Sequence, residues 1–276
     1  MELKTLLVAV DADAASDARL GMACRMAKAL EARLIGVGAG ETIPTTLADP
    51  YLGGGLFTGT LETFRDLVNE ELETLRSRFE VAAAAHDIEA MWRGRPGAPV
   101  DVVVEEAACA DLVLAGRRNP LCDARAADPG DLIVRVGRPV LVVPPVPSGE
   151  VIGGRALVAW SRSREARLAI AGALPLLRLA REVKLVTVTS EPATADVGQA
   201  LEAQVDWLQT HGVSASATSK ASLQETGDEL LDLAADMDAD LLVAGGYGHS
   251  RVQEWVMGGV TRTLLSHGNV SVLFAH

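Results

Sequence analysis

The sequence repeats itself. Ala110-Asp-Leu-Val-Leu-Ala-Gly116 returns as Ala239-Asp-Leu-Leu-Val-Ala-Gly245, identical at five of seven positions. Leu7-Val-Ala9 returns as Leu157-Val-Ala159, and Ala18-Arg-Leu20 as Ala166-Arg-Leu168. Leu34-Ile-Gly-Val37 is echoed by Leu185-Val-Thr-Val188. The matches keep their order, at offsets between 129 and 151 residues. A chain built this way must fold as two copies of one domain, and each half of the 276 residues has a common domain size. The stiff run Pro144-Pro145-Val146-Pro147-Ser148-Gly149 reads as the connector, giving domains at 1–146 and 151–276.

Within each half, short apolar runs alternate with longer helical patterns, the mark of βα units around a parallel sheet. Strands are expected near 5–10, 33–37, 88–92, 111–115 and 139–143, and again near 155–160, 183–188, 213–218, 240–244 and 270–275. These runs are rich in Val and Leu without alternation, as suits strands covered on both faces. Ser222-Leu-Gln-Glu225 has the spacing of a capping box and predicts a helix start there. Residues 39–58, with Gly53-Gly54-Gly55, are too glycine-rich for a helix and read as a loop over the sheet edge. Gly36-Val-Gly-Ala-Gly40 lacks the last glycine of a dinucleotide fingerprint and reads as the entrance to that loop. Right-handed crossovers put helices on both faces and any ligand outside the carboxyl ends of the strands.

Composition narrows the function classes. A net charge of −12 and a pI near 4.9 repel nucleic acid and anionic membrane surfaces. No apolar stretch approaches a membrane span, and no signal-peptide layout opens the chain, so a cytoplasmic protein is expected. Cys24, Cys109 and Cys122 show no CxxC spacing and read as free thiols filling the core in a reducing compartment. The histidines His86, His211, His249, His267 and His276 are scattered, and no metal site is expected. Trp160 and Trp255 read as core or interface residues.

The motif that carries chemistry is Gly245-Gly246-Tyr247-Gly248-His249-Ser250-Arg251, followed by Gly258-Gly259-Val260-Thr261. It follows the apolar run Asp240-Leu241-Leu242-Val243-Ala244. Glycines let backbone N–H groups approach an anion, and a following helix N-terminus adds positive partial charge. With no basic patch evident, such dipoles would have to hold a phosphate. The alternative reading gives these glycines only the task of turning the chain.

With its spacing G-x2-G-x9-G, the motif resembles the second-half signature of tandem universal stress proteins, and the resemblance runs along essentially the whole chain. It implies two five-stranded 3-2-1-4-5 sheets of the adenine-nucleotide α-hydrolase-like α/β type. It also implies a pseudo-dimer packed through Pro139–Val143 and Val270–Ala275. In nucleotide-binding members the adenine lies near the ends of strands one and two, and the phosphates on the glycine loop. Carried onto this chain, the cofactor-binding set is Ala159, Ser161, Val188, Ala244, Gly245, Tyr247, Gly248, His249, Gly258, Gly259 and Val260. The pattern departs from the family at two points: Gly259 stands where good binders have Ser or Thr, and Ser161 stands where strand one usually ends in aspartate.

The first half departs in a complementary way. Asp11 keeps the strand-one carboxylate, but its loop reads Gly116-Arg117-Arg118-Asn119-Pro120, and Ala127-Asp128 stands in place of Gly258-Gly259. A carboxylate repels phosphate, and Pro129 removes a backbone donor, so no nucleotide is expected there. Arg117 and Arg118 read as exposed charges. The expected function is a regulatory protein binding ATP or AMP, with magnesium accompanying ATP, and at most weak hydrolysis. The alternative is a scaffold that lost its ligand and acts by dimerisation or partner docking. An adenylating or ATP-pyrophosphatase relative would need a glycine-rich loop after strand one, and neither Asp11–Ala14 nor Ser161–Arg164 contains glycine.

Overall fold

A computed structural model describes residues 2–40, 57–117, 126–192, 194–248 and 259–276. The first half runs β1 (Thr5–Ala9), α1 (Ser16–Leu30), β2 (Arg33–Val37), β3 (Ala39–Gly40), α2 (Phe57–His86), β4 (Ala90–Trp92), β5 (Arg95–Pro96), α3 (Pro99–Glu106), β6 (Leu112–Gly116), α4 (Pro129–Arg135) and β7 (Val140–Val143). The second runs β8 (Arg155–Ala159), α5 (Arg164–Leu177), β9 (Glu182–Thr189), α6 (Ala195–Thr210), β10 (Ala215–Ala221), α7 (Thr226–Asp236), β11 (Leu241–Gly245), α8 (Gly259–Ser266) and β12 (Ser271–Ala275).

The main strands form one ten-stranded sheet in the order β10-β9-β8-β11-β12-β7-β6-β1-β2-β4. Each half contributes a parallel 3-2-1-4-5 set. The two sets join through an antiparallel pairing of β12 with β7, in the register Val272↔Val142, Leu273↔Leu141 and Phe274↔Val140. The internal pseudo-dimer that the family resemblance implied is thus a single sheet, joined where the last strands would otherwise be exposed edges.

Alternate residues of each strand enter opposite cores, as the pleat requires. Leu6 and Val8 pack with Met22 and Met26 of α1, Phe79 of α2, Ile170 of α5 and Leu208 of α6. Leu7 and Ala9 pack with Val102 of α3, Ile133 of α4, Leu230 of α7 and Leu264 of α8. Both cores cross the joint: Leu141 and Leu273 share one, Val142 and Phe274 the other. Pro139 of the first half also packs on α5 of the second, where a Cβ on Gly172 would lie 2.5 Å from its ring.

Three local expectations are corrected. The capping box does not form: α7 begins at Thr226, and Glu225 at its N-cap makes no side-chain cap bond. Ser222 instead donates to Glu229 Oε2 at 2.5 Å and accepts from the Gln224 N–H, a tight turn ahead of the helix. Gly36, Gly38 and Gly40 do not open a loop. They form a smooth strip beneath α2 and β4, where added Cβ atoms would lie 2.5 Å from Phe79, 2.7 Å from Trp92 and 3.1 Å from Val68. Ala39 and Gly40 pair with Arg95 and Pro96 in a small separate ribbon, and Phe57 already lies in α2. The rest of that expected loop, 41–56, lies outside the described residues. The proline-rich connector is tied to the second half, with the Ser148 N–H donating to Asn269 O at 2.8 Å.

Candidate functional site

In the second half, β8 and β11 are neighbours whose connections run in opposite directions along the sheet. A crevice opens beyond their carboxyl ends, at the topological switch point. Ala159 ends β8, Val186 to Val188 come from the end of β9, and Ala244 and Gly245 end β11. Thr226 and Leu230 of α7 and Val260 and Thr261 of α8 close the side, and Trp160, Ser161, Ser163 and Gly248 stand at the rim. The cavity measures about 210 Å³.

Local sequence explains much of this geometry. Ser163 caps α5, its hydroxyl accepting from the Ala166 N–H at 3.0 Å, and Ser161 Oγ donates to it at 3.2 Å. This fixes the turn after β8. The Trp160 N–H donates to Val186 O at 2.8 Å, and Thr187 Oγ1 donates to Trp160 O at 3.0 Å, so the β8 and β9 ends move together. Gly245 admits the first turn of α5, because a Cβ there would lie 2.7 Å from the Ala166 nitrogen. Thr261, 3% exposed, accepts the Tyr247 N–H at 3.1 Å and ties the glycine loop to α8.

Of the expected site residues, Ala159, Ser161, Val188, Ala244, Gly245, Gly248 and Val260 line this one crevice, and Gly259 begins the helix beside it. Tyr247 turns elsewhere. With φ of 54°, it carries its hydroxyl toward the first half, 2.5 Å from where a Cβ on Gly130 would lie. His249, Gly258 and Trp255 lie outside the described residues. Trp160 is half-buried and packs on the core while forming part of the rim.

The sequence reading missed Ser163, Thr187, Thr226, Leu230 and Thr261. The serine before α5 is a readable cap, and Thr261 sits inside the motif itself. Thr226 and Leu230 carry no local signal, because only the packing of α7 brings them to β8 and β9. Arg162, beside Ser161, pairs with Asp196 at 2.8 Å. That hydrogen bond holds its guanidinium above the ordinary value and the Asp196 carboxyl below.

The matching pocket in the first half measures only about 100 Å³, lined by Ala9, Asp11, Arg19, Gly116, Asp128 and Val143 among others. Arg19 crosses it. Its Nε donates to Ala9 O at 2.9 Å, and one terminal nitrogen donates to Asp11 Oδ2 at 2.7 Å and to Ser16 Oγ at 3.0 Å. A Cβ on Gly116 would meet the same guanidinium at 2.1 Å. Asp128 has become the N-cap of α4, its carboxylate accepting from the Asp131 N–H, with Pro129 in the first turn. Arg117 is not an exposed charge: it donates to the carbonyl oxygens of His267, Gly268 and Val270 across the joint. Arg118 and Cys122 lie outside the described residues, Cys24 is buried, and Cys109 is exposed rather than in the core.

A family model described as the universal stress protein family matches residues 154–276. Residues 154–276 belong to the universal stress protein family. This universal stress domain contains the whole crevice. Over 99% of this chain and 96% of the other, the fold is that of a universal stress protein from Archaeoglobus fulgidus DSM 4304, with TM-score 0.72 and 14% identity. A functionally unknown protein from Pseudomonas aeruginosa PAO1 has the same fold, with TM-score 0.54, 16% identity and coverage of 98% and 92%. A universal stress protein in complex with cAMP aligns with 52% of this chain and 98% of its own, with TM-score 0.39 and 21% identity. No curated protein matches the chain. Among the described residues no helix is long and apolar enough to cross a membrane, and no group of metal-ligating side chains could hold an ion.

Proposed function

We propose that the chain is a regulatory adenine-nucleotide-binding protein whose ligand site is the crevice of the universal stress domain. The first half serves as a second, ligand-free domain of the same fold. The observation that carries this reading is the convergence of Ala159, Val188, Ala244, Gly245, Gly248 and Val260 on one cavity at the switch point of the sheet. Apolar walls from Val186, Val188 and Leu230 suit a planar base. The rim hydroxyls of Ser161 and Ser163 suit a sugar, and the glycine end offers backbone N–H groups. Among the described residues the lining holds no nucleophile–base pair, which favours binding and release over turnover.

Calorimetry and thermal shift with adenosine, AMP and ATP test the site. Saturating ligand raises the melting temperature of the native chain, because a ligand that binds only the folded state stabilises it. The variant Ala159→Leu, which fills the floor of the crevice, abolishes the shift. Heat and shift that persist in this variant would place the ligand elsewhere. Heat absent from both proteins at millimolar ligand would favour the scaffold reading.

A further inference from the structure

The glycine end of the crevice is guarded by a carboxylate. Glu165 Oε2 lies 3.0 Å from where a Cβ on Gly248 would stand, and the Glu165 Cβ lies 2.9 Å from the corresponding point at Gly245. The stem of the side chain thus packs on Gly245 and its carboxylate stands beside Gly248, at the glycine end of the crevice. It also supplies the negative charge that the first turn of α5 attracts, so an incoming phosphate meets a helix end already neutralised. A second carboxylate oxygen, Glu225 Oε2, lies 3.9 Å from the Cβ position of Gly259, at the start of α8. No basic side chain among the described residues lines the crevice. Its volume of about 210 Å³ is below the roughly 300–1,000 Å³ of clefts that hold larger ligands.

We propose that Glu165 makes this crevice selective for the least phosphorylated adenine ligand, so that affinity falls in the order adenosine, AMP, ATP. This rests on the reading of the crevice as an adenine site and assigns it a ligand class. Two anionic groups sharing a partly dehydrated pocket repel each other, and each added phosphate brings more charge toward the Glu165 carboxylate. A neutral nucleoside leaves the carboxylate undisturbed and uses only the apolar walls and rim hydroxyls.

The test is calorimetry of the full chain and of Glu165→Gln with adenosine, AMP and ATP, each in magnesium-free and magnesium-containing buffer. The native protein is expected to bind adenosine at least tenfold more tightly than ATP. Glu165→Gln is expected to bring ATP to within about threefold of adenosine while leaving adenosine affinity unchanged, which also reports an intact crevice. ATP binding more tightly than adenosine to the native chain, in either buffer, overturns the proposal without need of the variant. So does an adenosine-to-ATP gap of the same size in both proteins, and in both cases the adenine site itself stands. Absence of binding by all three ligands to both proteins overturns the adenine site together with this inference.

Discussion

Arg19 and Asp11 form an ion pair of 2.7 Å whose side chains are 3% and 11% exposed, set where the second half keeps its crevice open. The repeat places Arg167 at the position of Arg19, but Arg167 is exposed on the surface of α5. One arginine turned inward thus separates a filled site from an open one. Removing one member of a buried pair strands the other. Arg19→Ala is expected to destabilise the chain by roughly 3–5 kcal/mol in urea unfolding. The double variant Asp11→Asn/Arg19→Met should recover most of that loss, because it removes both charges and keeps the volume. A double variant no more stable than Arg19→Ala would show that the pair is not the cause.

Arg117 joins the halves by a different device. Burial alone pushes its guanidinium down to about 10, and three carbonyl oxygens beyond the end of α8 offset that burden. Arg117→Ala should lower stability by about 1–3 kcal/mol. Arg117→Lys should not restore it, since a compact ammonium lacks the fork that spans several carbonyls. The folded value near 10 lies below the ordinary arginine value, so the burial penalty is constant at lower pH and lifts only above about 10. Stability curves of the native and Arg117→Ala proteins are therefore expected to run parallel between about pH 6 and 9.

Cys24 is 0% exposed, and its desolvation by burial pushes the thiol up to about 11 from 9.0, with Arg25 opposing weakly. A raised folded value means stability fully present below pH 9 and lost as pH rises through about 11. The difference in unfolding free energy between the native protein and Cys24→Ala should shrink by up to about 2–3 kcal/mol across that window. In a Cys122→Ser background, one thiol, the exposed Cys109, should react with a disulfide reagent near neutral pH, and the second only after unfolding. Rapid labelling of both thiols in the folded protein would contradict the burial of Cys24.

Gly36 lies under the ring of Phe79, 2.5 Å from where its Cβ would be. Phe79 is 1% exposed and packs on Trp92 with ring centroids 5.7 Å apart, so it has little room to yield. Gly36→Ala should destabilise by roughly 1–3 kcal/mol through overpacking, read in chemical unfolding. Gly198→Ala, where nothing lies within 4 Å, serves as the contrast and should be neutral or slightly stabilising. Equal losses at both positions would remove the packing explanation.

Much of the fold was legible because doubly covered strands leave uninterrupted apolar runs. Arg33–Val37 forms at its expected bounds, eight other expected main-sheet strands appear within two residues of theirs, and β10 ends three residues later than expected. The resemblance to tandem universal stress proteins pointed to β7 and β12 as the joint, and their antiparallel pairing is there. The capping box at Ser222 failed for a physical reason: its hydroxyl donates to Glu229 and accepts from the Gln224 N–H, instead of accepting from an N–H of a helix start three residues on. The glycines at 36, 38 and 40 were misread because a close-packing strip and a loop entrance look alike until the partner helix is in place.

The duplicated α/β architecture, the chain order within each half and the position of the glycine motif were readable along the chain alone. All of these are written in local periodicity and repeated residues. Tertiary structure decided which of two homologous crevices is open. Arg19 and Arg167 are the same residue type in matching triplets, but Arg19 turns inward to Asp11, while Arg167, with Ser161 at the matching strand end, lies on the surface. It also decided that Tyr247 faces Gly130 rather than the crevice, and that Glu165 lies over Gly245 and Gly248. The Tyr247 and Glu165 contacts join distant segments, are set by how helices seat on the sheet, and no pattern along the chain encodes them.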